Sequence, residues 1–280
     1  MPKAYANARA ALMHAFILGF GILMLYPVLW LISSSLKPTT MIFTDSSLWP
    51  SVFTLEHYSQ GWFGLRNIQF GRFFLNSLFL CVVAIVGTAI SSSMAAFAFA
   101  RIDFPLRKLW FALMLGTIML PGHVTLIPQY ILFHQFDWVD TYLPLTVPKF
   151  MAEAFYVFLI VQFIRGIPKE LDESAKIDGC GWLTLYVKII MPLCAPALIT
   201  TAIFTFMGTW DDFFSQLIYL SDIKKFTVPL GLRLFLDSSG SSNWGAVFAM
   251  SVLSIVPSLL VFFAGQRYFT QGIATSGLKG

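Results

Sequence analysis

The stretch Pro168–Gly179, PKELDESAKIDG, opens a charged segment that continues to Ile190, Met191 and Pro192. Six of these twelve residues are charged, whereas only 11% of the whole chain is charged. The stretch carries no motif typical of an enzyme. We interpret residues 168–192, called the charged segment below, as a docking element.

The rest of the chain has the composition of a membrane protein. Hydrophobic residues make up 57% of it, and the mean hydropathy is +0.75. A water-soluble domain carries about 25% charged residues, roughly twice the fraction found here. Between the charges lie apolar stretches of about twenty residues, which is the length that crosses a bilayer as a helix. The composition therefore predicts an all-α polytopic membrane protein.

We predict one transmembrane domain over residues 1–280, with six spanning helices and a cytoplasmic helix between the fourth and the fifth. The third span contains Pro121 and Pro128, which predict a kink that acts either as a hinge or only as a packing irregularity. The predicted spans are His14–Ile32, Phe73–Phe99, Leu109–Phe133, Leu145–Ile164, Leu193–Leu220 and Ala246–Ala264.

An even number of spans places both termini and the charged segment on one side of the membrane. That side holds eleven Lys and Arg residues against seven on the other, and three of them fall within Ala100–Lys108. Cations in short loops favour the cytoplasm, so we predict a multi-pass protein of the cell inner membrane with cytoplasmic termini. If the first apolar segment were instead a cleaved signal peptide, five spans would remain.

Several other functions lack support in the sequence. The net charge of +4 follows from this topology and gives no reason to expect a nucleic-acid partner. The chain has no P-loop, no acyl-transfer elbow and no zinc-protease motif. The four histidines show no metal-ligand spacing, and Cys81, Cys180 and Cys194 are expected to be reduced structural thiols. We therefore predict no enzymatic activity, no metal and no cofactor in this chain.

The first half of the charged segment has the features of a short solvated helix. Pro168 suits the first helical position, and the acids that follow favour the positive end of the helix dipole. Gly179 is a natural stop. Asp172 and Lys176 stand four residues apart and can pair, as can Lys169 and Glu173.

One face of this helix is predicted to admit another backbone, because its side chains are small. It holds Leu171, Ser174, Ala175 and Asp178. A second amphipathic run, Leu183, Tyr186, Val187 and Ile190, is expected to lie along the membrane surface. The alternative is an ordinary loop helix without a partner.

The charged segment resembles the EAA motif of binding-protein-dependent ABC importer permeases. Ser174 and Met191 depart conservatively from that motif, and the matching residues are Glu173, Ala175, Asp178, Gly179, Ile189 and Pro192. Nearly the whole chain resembles the smaller permease subunit of carbohydrate importers of the maltose-transporter type. The further stretches that carry this likeness are Pro27–Pro38, Leu120–Pro128, Phe206–Phe213 and the end from Gln266.

The resemblance implies a complex with a second permease, two ATPase subunits that bind ATP and Mg, an extracytoplasmic solute-binding protein and a sugar substrate. It also implies that an ATPase cleft receives Glu173, Ser174, Ala175, Asp178 and Gly179. Glu173 is expected to accept a charge-assisted contact there. The tail Gln271–Gly280 either shares in coupling or is simply frayed.

Two further sets of residues are candidates for solute handling. Trp210, Asp211 and Asp212 are candidates for lining the translocation pathway, because acids inside a membrane rarely face lipid. The alternative for the two acids is structural pairing or gating. Asp211 stands where the family usually has Asn. Ser239, Gly240 and Ser241 lie in a small polar loop that could contact the binding protein or serve only as a linker. An ion-coupled secondary transporter remains the alternative function.

Overall fold

A computed structural model describes residues 3–64, 68–236 and 243–277. Regular structure in these ranges is helical. Three helices are long: α1 covers Lys3–Ser35, α3 covers Phe70–Arg101 and α14 covers Trp244–Gly277. The shorter helices are α2 Glu56–Phe63, α4 Arg107–Ile118, α5 Gly122–Gln135, α6 Leu143–Thr146, α7 Ala154–Arg165, α8 Glu170–Ile177, α9 Trp182–Thr184, α10 Met191–Leu193, α11 Ala195–Trp210, α12 Phe214–Tyr219 and α13 Val228–Arg233.

The described part of the chain contains four helical stretches that are long and apolar enough to cross a membrane. A fifth candidate is a pair of helices, Trp182–Leu193 and Ala195–Trp210, bent by 76° at the break between them. The other four stretches are Arg9–Ser35, Phe70–Arg101, Leu143–Arg165 and Trp244–Tyr268. The fold class is thus an all-α polytopic membrane protein, whereas the number of six spans stays a prediction.

Three predicted spans are not continuous helices. The third is divided, because α4 ends at Ile118 and α5 begins at Gly122, directly after Pro121. Proline lacks an N–H donor and disfavours helical backbone in the residue before it, so it ends α4 rather than bending it. The fourth is interrupted between α6, which ends at Thr146, and α7, which begins at Ala154. The fifth was predicted to run to Leu220, but α11 ends at Trp210 and α12 starts only at Phe214.

The chain divides into two compact units. The first comprises Met1–Phe70 and Leu232–Ile255. Within it, the buried ammonium of Lys37 donates hydrogen bonds of 2.6 Å to the carbonyl oxygens of Asp45 and Ser47. His57 hydrogen-bonds the carbonyl oxygen of Lys37 at 2.8 Å. These bonds fix the segment that follows α1, because each satisfies a buried polar group.

The second unit, Gly71–Gly231 and Val256–Gly280, contains the charged segment. One hydrophobic cluster joins the end of α3, one face of α7, the charged segment and the start of α11. Its buried members are Ala96, Phe97, Val157, Ile160, Val161, Ile164, Ala175, Leu185, Ile190, Cys194 and Ala197. The charged segment is therefore partly a core element of this unit.

The same unit contains a loop joint, formed by residues 138–142 and 219–226. Asp140 sits at its centre with a left-handed backbone, φ 60°. Its carboxylate accepts backbone N–H groups from Ser221 at 3.0 Å and Asp222 at 2.9 Å, and it pairs with the Lys225 ammonium at 2.8 Å. The hydrogen bonds from Lys225 and Asp222 lower the pKa of Asp140 to about 2.

Candidate functional site

The short helix α8 runs over Glu170–Ile177 and has three acids in its first turn. Pro168 precedes the helix by two residues, so the prediction that it occupies the first helical position is wrong. No side chain caps the first backbone N–H groups of α8. The acids of the first turn partly compensate for the missing cap, because negative charge is favourable at the positive end of the helix dipole.

The end of α8 is fixed by Gly179. Its φ of +80° lies in the left-handed region, which glycine adopts without steric cost. The N–H of Gly179 donates to the carbonyl of Lys176 at 3.0 Å, and the N–H of Cys180 donates to that of Ala175 at 2.9 Å. These two bonds form a Schellman motif, so the prediction that Gly179 stops the helix is confirmed.

The inner face of α8 packs against its own chain. Ala175 is 5% exposed and belongs to the hydrophobic cluster of the second unit, and Asp172 is 7% exposed. Leu171, Ser174 and Asp178 are exposed. The prediction that Ala175 shares a docking face with these three residues is wrong, because the chain itself occupies the space beside Ala175.

Asp172 forms a buried ion pair with Arg101, the last residue of α3. The Nε atom of Arg101 lies 2.7 Å from Oδ2 of Asp172, and the two side chains are 3% and 10% exposed. The Nη2 atom of Arg101 also donates a 2.8 Å hydrogen bond to the carbonyl of Ile167. One guanidinium therefore holds both α8 and the backbone that leads into it, using the several donors that arginine carries.

The predicted pairing of Asp172 with Lys176 does not form, and Lys176 has a different partner. Its ammonium lies 4.4 Å from the ring centre of Trp182, a cation–π contact. Trp182 in turn packs edge-on against Phe97 of α3. Both residues of the predicted surface pair thus attach α8 to its own chain.

The opposite face of α8 is open. Glu170, Glu173 and Ser174 are exposed, and Ile177 is 86% exposed. The Ser174 hydroxyl donates to the carbonyl of Glu170 at 2.9 Å, within the helix. An outward face with carboxylates and one bare aliphatic side chain can take both a cationic and an apolar contact from a partner.

The second amphipathic run is a π-helix over Leu185–Ile190. Leu185 and Ile190 are buried, whereas Leu183 and Val187 are 73% and 52% exposed. The Tyr186 hydroxyl hydrogen-bonds Ser93 of α3 at 2.7 Å. The run is two-sided as predicted, but Ile190 points into the core rather than toward the membrane surface.

The candidate pathway residues lie at the other end of α11, on the order of 24 Å from its start. Trp210 is buried and stacks on Phe206 with ring centres 5.5 Å apart. Asp211 is exposed, and Asp212 accepts a 3.1 Å hydrogen bond from the N–H of Ser215 at the start of α12. They lie apart from the charged segment along the chain, and their role in the pathway stays a prediction. Ser239, Gly240 and Ser241 lie outside the described residues.

The long apolar helices define a multi-pass membrane protein, and α8 is a short helix with one buried and one exposed face. Residues 87–275 match the family described as the binding-protein-dependent transport system inner membrane component. The match covers more than half of the chain. The protein belongs to this family.

Similar proteins cover nearly the whole chain. It is 34% identical to the arabinooligosaccharides transport system permease protein AraQ of Halalkalibacterium halodurans, over 91% of each chain. It is 33% identical to the trehalose/maltose transport system permease protein MalG of Thermococcus litoralis, over 92% of this chain and 93% of that one. A crystal structure of a bacterial ABC transporter that imports alginate contains a chain with a TM-score of 0.83 at 20% identity, over 94% of this chain and 98% of that one. That likeness shows a shared fold.

Proposed function

We propose that this chain is a permease subunit of an ATP-driven importer that receives a sugar or a sugar-like solute from an extracytoplasmic binding protein. The observation that carries the proposal is α8, which is held by its inner face and exposes Glu173 and Ile177. Membership of the family supports this function over an ion-coupled secondary transporter. Relatives named for arabinooligosaccharides and for trehalose and maltose support a carbohydrate.

The proposal assigns hydrolysis to other subunits. The sequence contains no P-loop, so two separate ATPases would bind ATP and Mg, and a second permease would complete the pathway. We assign Glu173, Ser174, Asp178 and Gly179 to the ATPase contact. Ala175, which faces the core, would support the helix from behind.

The orientation follows from charge. Arg101 ends α3, and Arg107 and Lys108 begin α4 after a short connection. Arg165 and Lys169 lie just before α8. Cations in short connections favour the cytoplasm, so α8 and both termini would face the cytoplasm, where ATPases are found. The loop joint would then face the exterior.

The solute would pass near the end of α11. Trp210, Asp211 and Asp212 supply an aromatic ring and two carboxylates, groups that suit sugar hydroxyls. The loop with Ser239, Gly240 and Ser241 is assigned to the binding protein. If Asp212 serves the pathway, Asp212→Asn should slow uptake of at least one transported sugar, whereas unchanged uptake of every transported sugar would remove its charge from the mechanism.

The assembled transporter in proteoliposomes tests the function. With a loaded binding protein outside and ATP inside, we expect sugar uptake that requires ATP. Glu173→Ala should lower that uptake roughly tenfold, the equivalent of one lost charge-assisted hydrogen bond. Glu153→Ala, another exposed glutamate, is the matched control and should retain full uptake. Uptake driven by an ion gradient without ATP would contradict the proposal.

A further inference from the structure

We propose that Arg101 and Asp172 are positioning residues that transmit movement of α8 to the spanning helix α3. This inference rests on the proposed function, because it assumes that α8 is the element that an ATPase moves. These two residues form an ion pair, in which Arg101 is the last residue of the 32-residue helix α3 and Asp172 lies on the inner face of α8. Neither residue is part of the exposed face that a partner would contact.

The first argument concerns the length of α8. An isolated helix of eight residues is marginal in water, so the direction of α8 depends on what it is attached to. Ala175 contributes only a methyl group to the hydrophobic cluster. The Arg101 guanidinium contacts both Asp172 on α8 and the carbonyl of Ile167 ahead of it. A displacement of α8 must therefore either move Arg101 or break these contacts.

The second argument concerns burial. A buried ion pair contributes little net stability, because desolvating the two charges offsets most of their attraction. Here Nε of Arg101 and Oδ1 of Asp172 have no well-aligned hydrogen-bond partner among the described residues, although the charges are 2.7 Å apart. Apolar side chains would fill this site without the free-energy cost of desolvating two charges. An ion pair that adds little net stability but fixes the relative direction of its two side chains fits a positioning role.

The experiment measures sugar uptake per ATP hydrolysed in the reconstituted transporter. Asp172→Asn keeps the shape of the side chain and removes its charge. The unpaired Arg101 charge should reduce the amount of assembled complex. The complex that forms should still hydrolyse ATP, with an uptake-to-hydrolysis ratio that falls by roughly tenfold, within the usual range of coupling between sites. Arg101→Lys keeps the charge but loses the planar group with several donors, and it should lower the ratio in the same direction.

Asp103→Asn is the matched control. Asp103 pairs with Arg107 at the same distance of 2.7 Å, but its side chain is 92% exposed and does not contact α8. This variant should retain the wild-type ratio. A purely structural role of Arg101 and Asp172 would lower the amount of complex and leave the ratio unchanged.

A second readout separates this inference from the proposed function. Cross-linking of an Ile177→Cys variant to the ATPase reports contact with α8 alone. If that cross-link forms and both Asp172→Asn and Arg101→Lys keep the wild-type ratio, the inference is overturned and the proposed function stands. If the cross-link never forms, the proposed function itself fails. Should Asp172→Asn not accumulate in the membrane, Arg101→Lys decides the question by the same ratio.

Discussion

The charged segment and the loop joint lie at opposite ends of the stretch Leu143–Arg165, and each contains one ion pair. In the charged segment the side chains of Arg101 and Asp172 are 3% and 10% exposed, whereas those of Lys225 and Asp140 in the loop joint are each 36% exposed. The buried pair attaches one side chain of α8 to α3. The exposed pair is only one of several bonds to a single carboxylate.

The loop joint and the charged segment are held by different kinds of bond, and this indicates how each region can move. Backbone N–H groups from Ser221 and Asp222 hold Asp140, so the loop joint fixes the path of the main chain. Side chains hold α8 from behind and leave its outer face open. A region tied through its backbone keeps its shape, whereas a region tied through a few side chains can be moved as one piece.

The largest expected effect on stability comes from a substitution on the buried face of α8. Ala175→Leu adds three carbons where Ala175 is 5% exposed, so overpacking should destabilise the unit by about 1 to 3 kcal/mol. Ser174→Leu adds a similar group on the open face and should leave stability unchanged while lowering ATPase binding. Thermal unfolding of both variants in detergent compares them. Equal unfolding temperatures would contradict the assignment of the two faces.

The next effect concerns the end of α8. Gly179→Ala places a side chain at φ +80°, which costs about 1 to 2 kcal/mol because of the left-handed backbone. No other atom lies within 4 Å of the added carbon, so the cost is conformational. Gly181→Ala is the control, since Gly181 has equally open space and a φ of −74°. Hydrogen exchange of the amides in α8 should rise in the first variant and stay unchanged in the second.

A smaller effect is expected in the loop joint. Asp140→Ala removes the carboxylate that accepts from Ser221, Asp222 and Lys225, although the backbone carbonyl of residue 140 still accepts from Lys225. The loss should cost on the order of 1 kcal/mol. Asp137→Ala is matched, because Asp137 has a φ of 55° close to the 60° of Asp140. Limited proteolysis of residues 138–142 compares the two variants. If both are cleaved equally fast, the carboxylate of Asp140 does not hold the joint.

The smallest effect is a dependence on pH. The folded pKa of Asp140 is lowered from 3.8 to about 2, so its stabilising contribution is fully present above pH 3.8 and is lost as the pH falls through about 2. The difference in unfolding temperature between the wild type and Asp140→Ala should therefore shrink between about pH 4 and pH 2. A difference that stays constant across this range would show that the ionised carboxylate is not responsible.

Much of the structure of the charged segment could be predicted from local sequence rules. Dipole-favouring acids and Gly179 predicted the helix and its end, because these effects act within one or two turns. The buried face was mispredicted, because Arg101 lies 71 positions before Asp172 and no local rule connects them. The signal that could have found the pair was an arginine at the end of a long apolar helix beside an acid-rich segment.

The apolar stretches likewise predicted the fold class better than the individual spans. Hydropathy measures burial in lipid but not helix continuity, so it missed the breaks at Pro121, before Ala154 and after Trp210. The loop joint was not predicted either. Its bonds join residues about eighty positions apart, and a single exposed Asp140 gives no sign of them.

Cross-linking at Ile177 tests the central claim most directly, because this side chain is 86% exposed on the open face of α8. The variant Ile177→Cys would be made in a Cys180→Ser chain, since Cys81 and Cys194 are buried. In membranes with the full transporter, we predict a disulfide or short cross-link to an ATPase subunit. Labelling of Ile177→Cys by a membrane-impermeant maleimide added outside intact cells, with no ATPase adduct, would contradict the account.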